Sequence, residues 1–185
     1  LRITSTDSFC TLTLPDIASD LAREVGQSVD LISDNTHVDF SRLQADIAVR
    51  PTDKLPDELH GMRAGRLGFS IFASKNGAPV WLRLNGTIQR SKAAEWLDRH
   101  VAATDQSVSA DSFLTLAALA AKGAGRAILP TFVGRQTPGF IEIDRPKNLP
   151  SVPVWVACHR DLARSGRLTR ARRYLVERLS AVQLD

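Results

Sequence analysis

The feature that most constrains this chain is a repeated unit in its first 50 residues: a short apolar run, a polar corner, then a helical stretch. Residues 1–6 (LRITST) read as a strand with Leu1 and Ile3 on one face. They enter the corner Ser5-Thr6-Asp7-Ser8. Leu14, Ile17, Leu21 and Val25 follow at steps of three, four and four, which is one helix face. Pro15 is tolerated in a first turn but not in a helix interior. Either an irregular turn over 8–14 precedes a helix starting near Pro15, or one helix starts at Ser8 and kinks. Gly26 ends it. Residues 29–33 (VDLIS) are a second strand, 34–37 a second polar corner, 39–43 a short helix, 45–49 (ADIAV) a third strand and 50–53 a third corner. Strand, helix, strand, helix, strand at this spacing predicts a parallel sheet with right-handed crossovers. Open sheets of that kind bind ligands at the carboxyl ends of their strands. Free N–H groups at a helix start there suit an anionic ligand.

Residues 56–65 read as a connection and 67–73 (LGFSIFA) as a strand. The turn-rich 74–79 (SKNGAP) marks a boundary. The pattern then restarts. A strand at 80–84 runs into Asn85-Gly86-Thr87. Ala93, Trp96, Leu97 and Val101 form a helix face. A strand at 106–109 precedes a helix at 112–122, for which Asp111 or Ser109 is the cap. Gly123 and Gly125 end that helix, 126–129 is a strand stopped by Pro130, and 140–143 is another. Pro146, Pro150 and Pro153 mark a second crossing between units. A buried strand at 154–158 leads to a last helix with Leu168, Ala171, Leu175, Leu179 and Val182 on one face.

The hydrophobic fraction of 43% supports a substantial core, and no run of 18 apolar residues would cross a membrane. Cys10 and Cys158 make neither a disulfide framework nor a zinc site, which fits a reducing cytoplasm. His37, His60, His100 and His159 lack metalloprotease spacing. Walker, GxSxG and dinucleotide loops are absent, so no enzyme activity and no cofactor is expected. Seven arginines at positions 160–178 face only Asp161 and Glu177. A basic stripe of this kind is either an electrostatic footprint for nucleic acid or a solvated face whose arginines pair with acids elsewhere. The second reading is preferred, for want of aromatic interleaving.

Four motifs in order resemble the effector-binding domain of LysR-type transcriptional regulators over nearly the whole chain. They are the opening LRITSTDSF with Leu14-Pro15; Asp46 to Arg50, similar to "lDiaiR"; Gly123 to Pro130, similar to "aGlGiaxLP"; and Val154-Trp155 through His159, Asp161, Leu162 and Arg167, similar to "lWlxxHxDLxxxxxR". Arg126 departs from the usual apolar residue, and Thr169 stands where one branch often has arginine. The resemblance implies a type 2 periplasmic-binding-protein-like α/β fold: two Rossmann-like lobes with mixed, mostly parallel sheets, joined by two crossover strands, with a ligand cleft between them. Lobe I would be 1–74 plus 152–185 and lobe II 75–151. A small polar or carboxylate-bearing effector, a homodimer or homotetramer and no membrane association are implied. The family's N-terminal winged helix-turn-helix has no counterpart here, so DNA contact would come only through that missing domain. Alternatives are the solute-binding protein of a transporter, with the same fold, and an enzyme with an unrecognised site.

The resemblance and the corners together select Thr6, Asp7, Ser8, Asn35, Thr36, Arg50, Asn85, Thr87, Ser109 and Arg126 as effector-binding candidates. Each has a plainer role: Ser8 as a helix cap, Asn35 and Thr36 as turn formers, Arg50 as a rim salt bridge. Trp81, Trp96 and Trp155 are expected in the core. His159 is expected to order the turn before the last helix, and Cys10 to be a buried, inert thiol.

Overall fold

The computed structural model describes residues 1–36 and 45–185. The expected helix at 39–43, and His37, lie outside the described residues. Two compact units are present, Leu1–Arg66 with Val152–Gln183, and Leu67–Ser151 with Leu184–Asp185.

The first unit opens with β1 (Arg2–Ser5), α1 (Asp7–Leu12), α2 (Leu14–Val25), β2 (Asp30–Ser33), β3 (Ile47–Pro51) and β4 (Leu59–Leu67). The chain then builds the second unit from β5 (Phe69–Ser74), β6 (Trp81–Leu84), α3 (Lys92–His100), β7 (Gln106–Ala110), α4 (Phe113–Ala121), β8 (Ala127–Pro130), α5 (Thr131–Gln136) and β9 (Phe140–Asp144). It returns to the first with β10 (Val152–His159) and α6 (Gly166–Ser180).

In the first unit the sheet order is β2-β1-β3-β10-β4. β1 pairs in parallel with both β2 and β3, while β10 runs antiparallel to β3. Burial is heavy: Ile3, Ile47, Ala48, Val49, Val154 and Val156 are fully inaccessible, as strands covered on both faces require. The main helix starts beside Pro15, as the first alternative had it, but a short helix, α1, stands where an irregular turn was expected, and there is no kinked single helix. Pro15 occupies the first turn of α2, and Thr13, at φ −128° and ψ −46°, separates two helices. Proline's missing N–H costs nothing at a helix start, so a break upstream of it is the least strained solution. Gly26 closes α2 at φ +64°, with its N–H on the Ala22 carbonyl, a left-handed position glycine fills without steric cost. Leu14, Ile17, Ala18 and Leu21 are buried on α2, as are Leu168, Ala171, Leu175 and Leu179 on the α6 face that packs near it. Each leucine or isoleucine among them contributes roughly 1.5–3 kcal/mol on burial.

In the second unit β5 is the centre of an antiparallel sheet, β8-β5-β9, and β6 pairs with β7 in parallel. Bonding on both sides puts β5 with residues far along the chain, so the compact units divide at 66/67 and not at the turn-rich 74–79. Ser112, neither Asp111 nor Ser109, caps α4, accepting the N–H groups of Leu114 and Thr115 at 3.2 Å. Ser91 caps α3 in the same way through Ala94. Two elements were not expected: β4, in place of a connection, and α5, which follows Pro130 with no linker.

Candidate functional site

The parallel register brings three strand ends together. Ser5 stands beside Ser33 on one side and Val49 on the other. Residues 6–8, 34–36 and 50 therefore emerge at one edge of the sheet. Backbone and side-chain bonds fix this edge: Asp34 N–H donates to the Ser5 carbonyl at 2.9 Å, and the buried Ser5 hydroxyl to the Val49 carbonyl at 2.7 Å.

Thr6 leaves the strand in extended conformation and precedes α1. Its hydroxyl lies 3.3 Å from that of Ser8, which is buried. The expectation of free helix-start donors is corrected: Asp7 N–H donates to Asn35 Oδ1 at 3.0 Å, and Ser8 N–H to Asp7 Oδ1 at 2.6 Å. Ser8 makes no capping bond of the usual kind, since the helix cap is Thr6, without a side-chain bond. Thr36 donates both its N–H and its hydroxyl to Asp34 Oδ1, each at 2.7 Å. Asn35 thus faces α1, while Thr36 is exposed and turns back on its own loop.

Arg50 ties the corner across three strands. One terminal nitrogen donates to the Asp34 carbonyl and the other to the Thr4 hydroxyl at 3.0 Å. Its Nε is buried with no hydrogen-bond partner among the described residues. Burial pushes the guanidinium below its ordinary pKa, opposed by the charge of Asp34 and by Cys10. The two Thr36 bonds hold the Asp34 carboxyl below the usual range. Burial raises the Cys10 thiol, against a backbone hydrogen bond from Ser5 and the charge of Arg50. A thiol kept protonated is a poor nucleophile.

The second unit has its own corner. Asn85 N–H donates to the Ala110 carbonyl and its side-chain amide to Ser109 Oγ, both at 2.9 Å. Thr87 is exposed on the 3-10 turn Gly86–Arg90. Arg126 is elsewhere. It forms a parallel bridge with Trp81 at the amino end of β6, three residues and about 10 Å of strand from the Asn85 end.

Reading the sequence missed Thr4 and Asp34. A hydroxyl inside an apolar strand run was the available signal for Thr4; the Asp34 contribution is a backbone carbonyl and had none. The tryptophans are only partly buried, with Trp155 donating to the Thr52 carbonyl and Trp96 to Asn148, both at 3.0 Å. His159 accepts the Asp161 N–H at 3.3 Å in the turn before α6. Among the described residues, no group of three His, Cys, Asp or Glu could hold a metal ion, and no helix is long and apolar enough to cross a membrane. The first corner offers hydroxyls, an amide, a carboxylate and a half-buried cation, a set suited to holding a polar molecule by hydrogen bonds.

The family model for the LysR substrate binding domain matches residues 1–180. No curated protein sequence matches the chain. Among solved structures, it is similar to the regulatory domain of CrgA, a LysR-type transcriptional regulator from Neisseria meningitidis, at 19% identity and TM-score 0.78, covering 97% of this chain and 98% of that one. The AmpR effector binding domain from Citrobacter freundii gives 17% identity and TM-score 0.76, covering 98% of each chain. The regulatory domain of MexT, a transcriptional activator in Pseudomonas aeruginosa, gives 15% identity and TM-score 0.77, covering 96% and 98%.

Proposed function

This chain belongs to the LysR substrate binding domain family, and from that premise we propose that it senses a small polar effector for a LysR-type DNA-binding regulator. The observation that carries the reading is the first-unit corner. Thr6, Asp7, Ser8, Asn35 and Arg50 are gathered at the carboxyl ends of three adjacent parallel strands, where α/β sheets hold ligands. Asn85 and Ser109 are further contact candidates from the second unit, and Thr87 is available as an exposed hydroxyl. Arg126, bridged to the opposite end of β6 from Asn85, is set apart from them. Effector binding alters regulation only by favouring one conformation over another, and a differential of about 1–3 kcal/mol suffices. Association into dimers or tetramers, DNA contact through a separate N-terminal domain, a cytoplasmic setting and no catalytic step belong to the same proposal. The transporter alternative is not favoured, since the neighbours named above are regulatory domains.

The test is a thermal-shift screen of the chain against pooled polar metabolites, repeated on Ser8→Ala and Thr6→Ala. A stabilising pool whose effect falls at least tenfold in affinity in both variants supports the assignment. A hit that neither variant weakens, with reporter induction unchanged by them in the full regulator, removes this corner as the site.

A further inference from the structure

The arginines of the C-terminal stretch do not pair as a solvated face ordinarily would. Arg160, Arg164, Arg170 and Arg173 are exposed, and none makes an ion pair among the described residues. Asp161, the nearest acid in sequence to Arg160 and Arg164, lies 3.4 Å from the His159 ring instead, and Glu177, the nearest to Arg170 and Arg173, is exposed and makes no ion pair among the described residues. The other three arginines are engaged: Arg167 donates to Gln27, Arg178 pairs with Asp20, and Arg172 is buried on the carbonyls of His60 and Ala163. Arg170 and Arg173 stand on a fixed base, because the opposite side of α6 buries Leu168, Ala171, Leu175 and Leu179; Arg160 and Arg164 lie in the turn that leads into it.

We infer that this surface of the first unit binds the phosphate backbone of duplex DNA, independently of base sequence and separately from the effector corner. Two observations favour phosphate over an acidic protein. The stretch 160–178 contains no lysine, and the planar guanidinium matches a phosphate through paired hydrogen bonds where an ammonium acts as a point charge. The surface also lacks the apolar anchors on which protein interfaces depend: among the described residues the large exposed hydrophobics are Val108, Ile141 and Ile143, all in the second unit. Phosphate binding needs no such anchor, being dominated by counterion release.

The experiment titrates fluorescent duplex of arbitrary sequence with the 185-residue chain at 50–200 mM monovalent salt. Four phosphate contacts give a log–log slope of roughly −3.6, or about a 150-fold loss of affinity across that range. The triple variant Arg164→Gln, Arg170→Gln, Arg173→Gln should reduce the slope by about 2.7. A control removing the same charge elsewhere, Arg83→Gln, Arg90→Gln, Arg99→Gln, should leave it near the parent value, with circular dichroism confirming that both fold. Three results overturn the inference: no duplex binding at 50 mM salt, equal losses in the two triple variants, or binding of polyglutamate in preference to duplex.

Discussion

Replacing Arg50 separates a brace from a ligand clamp. Its guanidinium joins β3 to β1 through Thr4 and to the loop after β2 through the Asp34 carbonyl. Hydrogen bonds from a charged donor contribute about 1.5–3 kcal/mol each, so two approach 3–6. Against that stands the cost of burying the cation, visible in the lowered pKa that burial imposes and in the Nε left without a partner. The expected net loss for Arg50→Met, which keeps an apolar stem, is about 2–4 kcal/mol. Of a domain stability of roughly 5–15 kcal/mol, this is a large share. Trp155 is the first unit's tryptophan, while Trp81 and Trp96 belong to the second. In a Trp81→Phe, Trp96→Phe background, urea unfolding followed by Trp155 fluorescence therefore reads the first unit alone. Thr4→Val should cost about 1 kcal/mol by removing one acceptor and leaving the charge. Arg50→Lys should fall between parent and Arg50→Met, since one ammonium cannot reproduce the two-pronged geometry. If Arg50→Met unfolds within about 0.5 kcal/mol of the parent, the range of an ordinary surface change, the bracing argument fails.

Leu21→Ala deletes a fully buried side chain on α2 and should cost about 2–5 kcal/mol by the same fluorescence assay. Gly134→Ala would put a Cβ 2.2–2.4 Å from the ring of buried Phe72; overpacking of about 1–3 kcal/mol or more is expected in the second unit, read from Trp81 and Trp96. Asp34 has a folded pKa below its unfolded value because Thr36 donates to it twice. Its contribution to stability is thus fully present above about pH 3.9 and lost as pH falls through the lowered folded value. Thr36→Val should move the Asp34 carboxyl titration, followed by NMR, upward; no movement would mean that the hydroxyl is not its partner. Cys10 and Cys158 both have thiols raised by burial, so alkylation at pH 8 should be much slower in the folded chain than in urea.

The parts of the fold legible in the sequence were those written locally. The β1, β2 and β3 runs are short, apolar and bounded by polar corners, and Gly26 stops α2 by a conformation only glycine adopts easily. Ser112 was overlooked as a cap because Ser109 and Asp111 are equally good cap residues, and only the backbone angles distinguish them. β4 carries Gly61, Arg63, Gly65 and Arg66 and buries just Leu59, Ala64 and Leu67, so it shows no alternation of period two. α5 buries four consecutive residues, Thr131 to Gly134, which erases any helical period. The position of β5 was illegible because its partners β8 and β9 are distant in sequence. The corner residues were visible as polar groups at strand ends. Arg126 was grouped with them because a motif names a residue without naming its register.

The state of the corner limits how an effector can bind. Its principal donors already have acceptors: Asp7 N–H has Asn35, Ser8 N–H has Asp7, and Arg50 has Asp34 and Thr4. An incoming molecule exchanges these bonds and does not add to them, so its net gain is set by the difference between old and new partners. Each net hydrogen bond is then worth about 0.5–1.5 kcal/mol. A polar ligand that reproduces only the displaced bonds gains little. One that frees Asn35 from α1 and supplies Asp7 N–H with a charged acceptor gains a stronger bond and releases a loop, which couples binding to a change of shape. On this account Asn35→Ala, which opens the Asp7 N–H in advance, raises affinity for an anionic effector while weakening the conformational response. A loss of both together would show that Asn35 contacts the ligand directly and that the exchange does not occur.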